Sequence, residues 1–162
     1  VLTLEEAEGL AERAERAPLE AAAVVGQARE LRAIANHIYV ALARREPPDP
    51  AWVRAFDDAL RTLIGGVHIE WRDGAFAWRP GDPQALDVVL RRVAWLTAQF
   101  LTSADLTYFR RCAGEDCAWF FLDSTRNHSR RWCAMSDCGG RAKARRYYRR
   151  KQQQQESRGD SA

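Results

Sequence analysis

Apolar residues recur at helical spacing through most of the first hundred positions. Leu31, Ile34, Ala35, Ile38 and Leu42 step by three and four and lay one stripe along a helix. An earlier helix is predicted from Thr3 to about Ala17. Thr3 and Glu6 have the spacing of a capping box, in which each side chain satisfies a backbone N–H of the opening turn. The run EPPDP at 46–50 ends the second helix, because proline lacks the donor and restricts the residue before it. Asp49 then reads as an N-cap, with Pro50 at the first helical position. Val53, Phe56, Leu60, Leu63 and Ile64 form the next stripe, which Gly65 and Gly66 end.

At Val67 the period changes from three and four to two. Val67, Ile69 and Trp71 alternate with His68 and Glu70, which predicts a half-buried strand. Asp73-Gly74 is a two-residue hairpin turn, since both positions tolerate the positive φ of a type I′ turn, and AFAWR at 75–79 supplies the partner strand. Asp82-Pro83 is expected to restart a helix through Leu86, Val89, Leu90, Val93, Leu96, Phe100 and Leu101. Trp52, Trp71, Phe76, Trp78 and Trp95 are expected as core or interface anchors, with a ligand pocket as the alternative. His37 and His68 read as ordinary surface or boundary residues, and no nucleophile-and-base pair or phosphate-binding glycine loop stands out. The body is therefore not expected to be an enzyme.

Charge divides the chain where periodicity does not. Residues 1–109 carry 12 Lys and Arg against 16 Asp and Glu, whereas residues 110–151 carry 12 against 4. The sign split points to a polyanionic partner for the second part. No run of about 18 apolar residues is present, which excludes a membrane helix, and the polar, acidic opening residues carry no secretory signal. A cytoplasmic protein is expected.

All four cysteines fall in the basic part, as two pairs, Cys112 and Cys117, then Cys133 and Cys138. Short symmetric spacing in a chain without an export signal reads as a tetrahedral site for one structural Zn²⁺, which four thiolates fill completely. The alternatives are two disulfides or scattered free thiols. Leu106–Arg111 and residues 118–123 are strand-like, so the first pair belongs in a hairpin connection. Cys133 and Cys138 are five apart, about 140° around a regular helix, so Cys133 is expected in a loop. Cys138 is then expected in the first helical turn, capped by Ser136 or Asp137.

After Cys138, a basic helix places Arg141, Lys143, Arg145, Arg146, Arg149 and Arg150 on one broad face. Ala144, Tyr147 and Tyr148 fall on the other, which is expected to pack on the zinc hairpin or the body. Arg126, His128, Arg130 and Arg131 form a second basic cluster, where Asn127 and Ser129 offer further hydrogen bonds to phosphate. Guanidinium forks match phosphate and guanine edges, which points to the major groove of double-stranded DNA. The alternatives are a solvated basic face, RNA, or an acidic protein patch. Trp119, Phe120 and Phe121 are expected in the hairpin core rather than as base-stacking platforms.

The stretch RRCAGEDCAWFFLDSTRNHSRRWCAMSDCGGRAKARRYYRR, 110–150, resembles the CGNR zinc finger at the C-terminus of a family of bacterial transcriptional regulators. Its motifs fall on the four cysteines, on Phe121–Asn127, on Ser129–Cys133 and on Arg141–Arg145, with Gly140 standing where the family has asparagine. The resemblance implies DNA binding by the finger and an α-rich preceding domain that senses a signal or mediates association. It also implies a segment like LDFVNT, absent here, so a truncated or shortened N-terminus is expected. The expected organisation is mainly α with small β elements (α+β). A helical domain with one β-hairpin occupies 1–104, a zinc-stabilised hairpin-plus-helix module 105–151, and a polar tail 152–162. The function expected is a DNA-binding transcriptional regulator, the alternative a zinc-stabilised RNA-binding or protein-interaction module. The target site, the effector, the sign of regulation and a homodimer are left open.

Overall fold

The computed structural model describes residues 2–79, 81–82 and 84–159. Four helices and a hairpin come first: α1 (Leu4–Arg16), α2 (Pro18–Arg44), α3 (Pro50–Ile64), β1 (His68–Arg72), β2 (Ala75–Arg79) and α4 (Val88–Ser103). Then come a 3₁₀ turn (Leu106–Tyr108), β3 (Phe109–Arg111), β4 (Phe120–Leu122), a π-helical turn (Met135–Gly139) and α5 (Gly140–Gly159). An α+β chain results. Residues 2–41 and 47–104 cluster as one compact unit, residues 105–159 with 42–46 as another. No helix among the described residues is long and apolar enough to cross a membrane.

Local signals place most boundaries. At α1 the capping box forms, Thr3 N–H donating to Glu6 at 2.8 Å and Glu6 N–H to Thr3 Oγ1 at 3.1 Å. Asp49 caps α3 by accepting from Ala51 N–H at 2.8 Å, with Pro50 in the first turn. Asp73 (φ 51) and Gly74 (φ 80) make the tight turn of β1 and β2, in the register Ile69↔Trp78 and Trp71↔Phe76. The core of the first unit is Leu31, Ala35 and Ile38 of α2, Phe56 and Leu63 of α3, and Val88, Leu90 and Ala94 of α4. No residue of α1 is buried, and polar links hold it instead. Glu6 pairs with Arg92 of α4 at 2.8 Å.

That ion pair has a pH signature. The Arg92 hydrogen bonds first, then the Thr3 N–H, lower the Glu6 carboxyl to about 2. A depressed carboxylate stabilises the fold above its unfolded pKa, and the contribution disappears as pH falls from about 4.5 towards 2. Glu6→Gln is therefore expected to melt below the wild type at pH 6, with the gap shrinking to about a quarter of that near pH 2.5. An equal gap at both values would refute the assignment.

Two expectations fail here. The helix forecast at Asp82 starts instead at Val88. Asp82 spends its carboxylate on Gln84 N–H at 2.8 Å, a local turn that competes with helix; Pro83 lies outside the described residues. The hairpin's apolar face is not buried either: Ile69, Trp71, Phe76 and Trp78 are all more than half exposed. Trp71 meets Phe76 at 4.8 Å and Trp78 meets Trp95 at 5.4 Å. None of the five anchor aromatics lies in the core. Trp52 instead stacks flat on His37 at 3.9 Å.

Candidate metal centre and basic cleft

β3 and β4 pair antiparallel, and Cys112 N–H continues the ladder to Trp119 carbonyl at 2.8 Å. Cys112 and Cys117 thus flank the connection of a hairpin, as their spacing suggested. Gly114 lets the connection close. A Cβ there would stand 3.0 Å from Cys117 Cβ and 3.4 Å from Cys138 Sγ. Cys133 arrives from a loop tied back by Ala113 N–H to Arg131 carbonyl at 2.9 Å. Cys138 sits in the π-helical turn, whose Gly139 N–H reaches Ala134 carbonyl at 3.1 Å. Cys133 lies before this turn, so the two cysteines do not share one regular helix and their spacing of five poses no angular problem. Ser136 and Asp137 lie inside it and do not cap it; Asp137 pairs with Arg141 at 2.9 Å.

All four sulfurs lie within 4.8 Å of one another. Tetrahedral zinc with Zn–S of about 2.3 Å spaces its sulfurs about 3.8 Å apart. Cys117 and Cys138 Sγ each stand 3.7 Å from Cys133 Sγ, unbonded, so the disulfide alternative does not hold. Electrostatics point the same way. Burial pushes the Cys112 thiol up, but N–H groups of Cys133 and Gly114 and the neighbouring thiols bring it down to about 7. Cys133 is pushed up to about 12, by burial first and by the other sulfurs next, and burial raises Cys138 too. One thiolate forms readily there and a second is resisted, so a cation among the sulfurs is what lets all four ionise. The cluster binds one structural zinc, with no coordination position left open for water.

The loop after β4 is built around Asp123, which is 1% exposed. Its carboxylate accepts from Thr125 Oγ1–H at 2.6 Å, Thr125 N–H at 3.1 Å and Arg130 N–H at 2.9 Å. The Thr125 hydroxyl, outweighing burial, holds the carboxyl below its usual range, with the two N–H groups adding to it. Asp123 carbonyl takes the His128 Nδ1–H at 3.0 Å, and the His128 ring stacks on Tyr108 at 3.4 Å.

The nine basic residues singled out in the sequence separate into distinct roles. Arg130 folds back: it donates to the carbonyls of Trp132 and Cys133 and lies 4.7 Å over Phe121. Arg141 is held by Asp137 and donates to Cys138 Sγ at 3.1 Å, which together keep its guanidinium firmly charged. Lys143 is exposed and lines neither of the two cavities that Arg131 borders. Arg145, Arg146, Arg149 and Arg150 of α5 meet Arg131 and Trp132 of the loop around a cavity of about 430 Å³. Its single carboxylate, Glu115, is 3.7 Å from Arg145. Arg126, with Arg130 and Arg131, lines a second cavity over the loop.

The orientation of α5 reverses expectation. Its arginine face, not its tyrosine face, turns toward the zinc knuckle, and Tyr147 and Tyr148 are more than 60% exposed. Residues 142, 145, 146 and 149 follow Cys138 by four, seven, eight and eleven, which places them on its side of the helix. The metal ligand, not apolarity, sets the face. Trp119, expected in the hairpin core, is 73% exposed, whereas Phe109 is buried and stacks on Phe120 at 5.5 Å. Trp132 and Asp123 went unnamed as site residues. Adjacency to Cys133 was the available signal for Trp132; nothing local marked Asp123 as buried.

Residues 109–151 match the family of the CGNR zinc finger. No curated protein and no solved structure matches the chain. At the position of the motif asparagine, Gly140 has ordinary helical angles (φ −61, ψ −48), and a Cβ there meets only Met135 carbonyl at 3.7 Å. A Cβ is accommodated there at ordinary contact distance, so this glycine is not required by the backbone.

Proposed function

We propose that the zinc module binds double-stranded DNA and that the protein is a cytoplasmic transcriptional regulator. One observation carries this reading: five guanidiniums converge on one cavity whose lining holds a single carboxylate. Guanidiniums brought together repel, and a run of phosphates is the partner that turns the repulsion into binding energy. Zinc supplies the order, because it fixes the start of α5 against the loop that carries Arg131 and Trp132. The resemblance of the finger to those of bacterial regulators supports the same reading, and the closed metal site offers no open position for hydrolytic chemistry. Regulation is then a matter of occupancy on DNA.

The test is a gel-shift titration of the zinc-loaded protein against salt. Five phosphate contacts give a slope of about −4.5 in log K against log [salt], a loss of several hundredfold (on the order of 500) between 50 and 200 mM. Arg145→Glu removes one contact and adds repulsion beside Glu115, and is expected to weaken binding at least about tenfold. Absence of affinity at low salt, or indifference to Arg145→Glu, would overturn the proposal. RNA or acidic protein displacing the duplex at equal concentration would favour an interaction module instead.

A further inference from the structure

We infer that the cavity over the loop, about 620 Å³, is a pocket for an unpaired nucleobase, so that the module prefers DNA carrying one. The inference rests on the DNA reading above and adds to it what the module recognises. Arg126, Asn127, Ser129, Arg131, Trp132 and Met135 line this cavity, together with Thr125 and Arg130. Its volume lies within the usual range of small-ligand sites.

The loop is held rigid from inside and left uncommitted outside. Asp123 gathers Thr125 and Arg130, and His128 is locked by Tyr108 and by Asp123 carbonyl. His128 is thereby held at φ 45, a conformation non-glycine residues seldom adopt. Arg126, Asn127 and Ser129, by contrast, are exposed and make no side-chain hydrogen bond among the described residues. Local strain maintained by buried bonds, with free polar groups turned outward, is the arrangement of a preorganised binding loop.

The chemistry of the lining selects the ligand. No carboxylate borders the cavity, so it suits an anion-bearing molecule. Phosphate would answer the arginines but not the Trp132 indole, over which the Arg131 guanidinium lies at 5.3 Å, nor the exposed Met135 thioether, and both are apolar surfaces suited to a flat ring. The Asn127 amide offers a donor and an acceptor side by side, which matches the edge of a base. Arg131 and Trp132 border both cavities, so a base in this one sits next to phosphates in the arginine cleft. Within an intact duplex both faces of a base are covered by its neighbours. Only an unpaired or everted base presents a face to Trp132.

The experiment compares two DNAs with the full zinc-loaded chain, by fluorescence anisotropy at low salt. One is an intact duplex and the other the same duplex with a single extra adenine. The bulged DNA is expected to bind about tenfold more tightly or better, the range seen for one stacked base. With 2-aminopurine in the bulge, its emission is expected to fall on binding. Trp132→Ala and the double variant Asn127→Ala, Ser129→Ala are expected to bring the ratio of the two affinities to about one. The double variant touches no internal contact, so it reads the pocket even if Trp132→Ala misfolds. Equal affinity of the wild type for the two DNAs overturns the inference and leaves the DNA reading standing. A double variant that keeps the preference overturns it equally. Failure to bind either DNA removes the DNA reading and this inference with it.

Discussion

Cys117→Ser, or withdrawal of zinc by a chelator, is expected to unfold residues 105–159 while the helices of residues 4–103 stay formed. Among the described residues from 105 onward, the buried apolar side chains are Phe109, Cys112 and Cys138, and two of these are ligands. One phenylalanine is no core, so the conformational entropy of the loops has little to oppose it except the metal. Zinc in small four-ligand sites contributes about 10–16 kcal/mol at neutral pH, which is folding free energy when no apo site exists. Unfolding takes two networks with it: the N–H groups of Cys133 and Gly114 part from the Cys112 sulfur, and Arg141 parts from Cys138. Hydrogen exchange by mass spectrometry before and after chelation reads the two regions separately. Protection in residues 105–159 should fall to the level of an open chain, and metal analysis should give one zinc per chain in the wild type. A module that keeps its protection without metal would show that something other than zinc holds it.

What the sequence made legible was whatever depends on near neighbours. Thr3 with Glu6, Asp49 with Pro50, and Asp73 with Gly74 each act within three residues, and each does in the structure what its type allows. Cysteine spacing worked for a related reason: a metal converts positions along the chain into positions in space. Most of the failures concern which way a surface turns; the start of α4 failed instead on a local turn, in which Asp82 accepts from Gln84 N–H. Ile69, Trp71, Phe76 and Trp78 do share one face, but alternation cannot say whether anything covers it. On α5 the same ambiguity was resolved by the usual rule that apolar residues turn inward, and the rule failed. Cys138 anchors the helix from its first turn, so the side facing the knuckle is dictated by distance from that ligand and carries arginines. Counting from Cys138 would have found it. Nothing comparable marks Asp123, an acid in a loop whose burial comes from strands and turns that meet only after folding.

Asp123→Ala is expected to damage the module more than any change to its exposed arginines. The substitution strands three donors around one buried point: Thr125 N–H, Thr125 Oγ1–H and Arg130 N–H. Buried donors left without partners cost more than the hydrogen bonds themselves contributed, and methyl replaces none of them. Asp123→Asn discriminates between charge and hydrogen bonding. An amide retains one acceptor oxygen for Thr125 but turns N–H groups toward the Arg130 N–H, a donor facing a donor. The midpoint of the zinc-loaded protein should fall on the order of 10 °C for alanine, and by a smaller but clear amount for asparagine. Zinc stoichiometry should stay at one, because no ligand is touched. Affinity for DNA should fall in both, since Arg126, Arg131 and Trp132 all stand on the loop that Asp123 shapes. Thr125→Val, which removes one hydroxyl and leaves the carboxylate, should give the mildest loss of the three. Scanning calorimetry on the four proteins orders them directly. If the asparagine variant melted with the wild type, the loop would owe its shape to the His128–Tyr108 stack instead, and the preorganised pocket would have to be rebuilt on that contact.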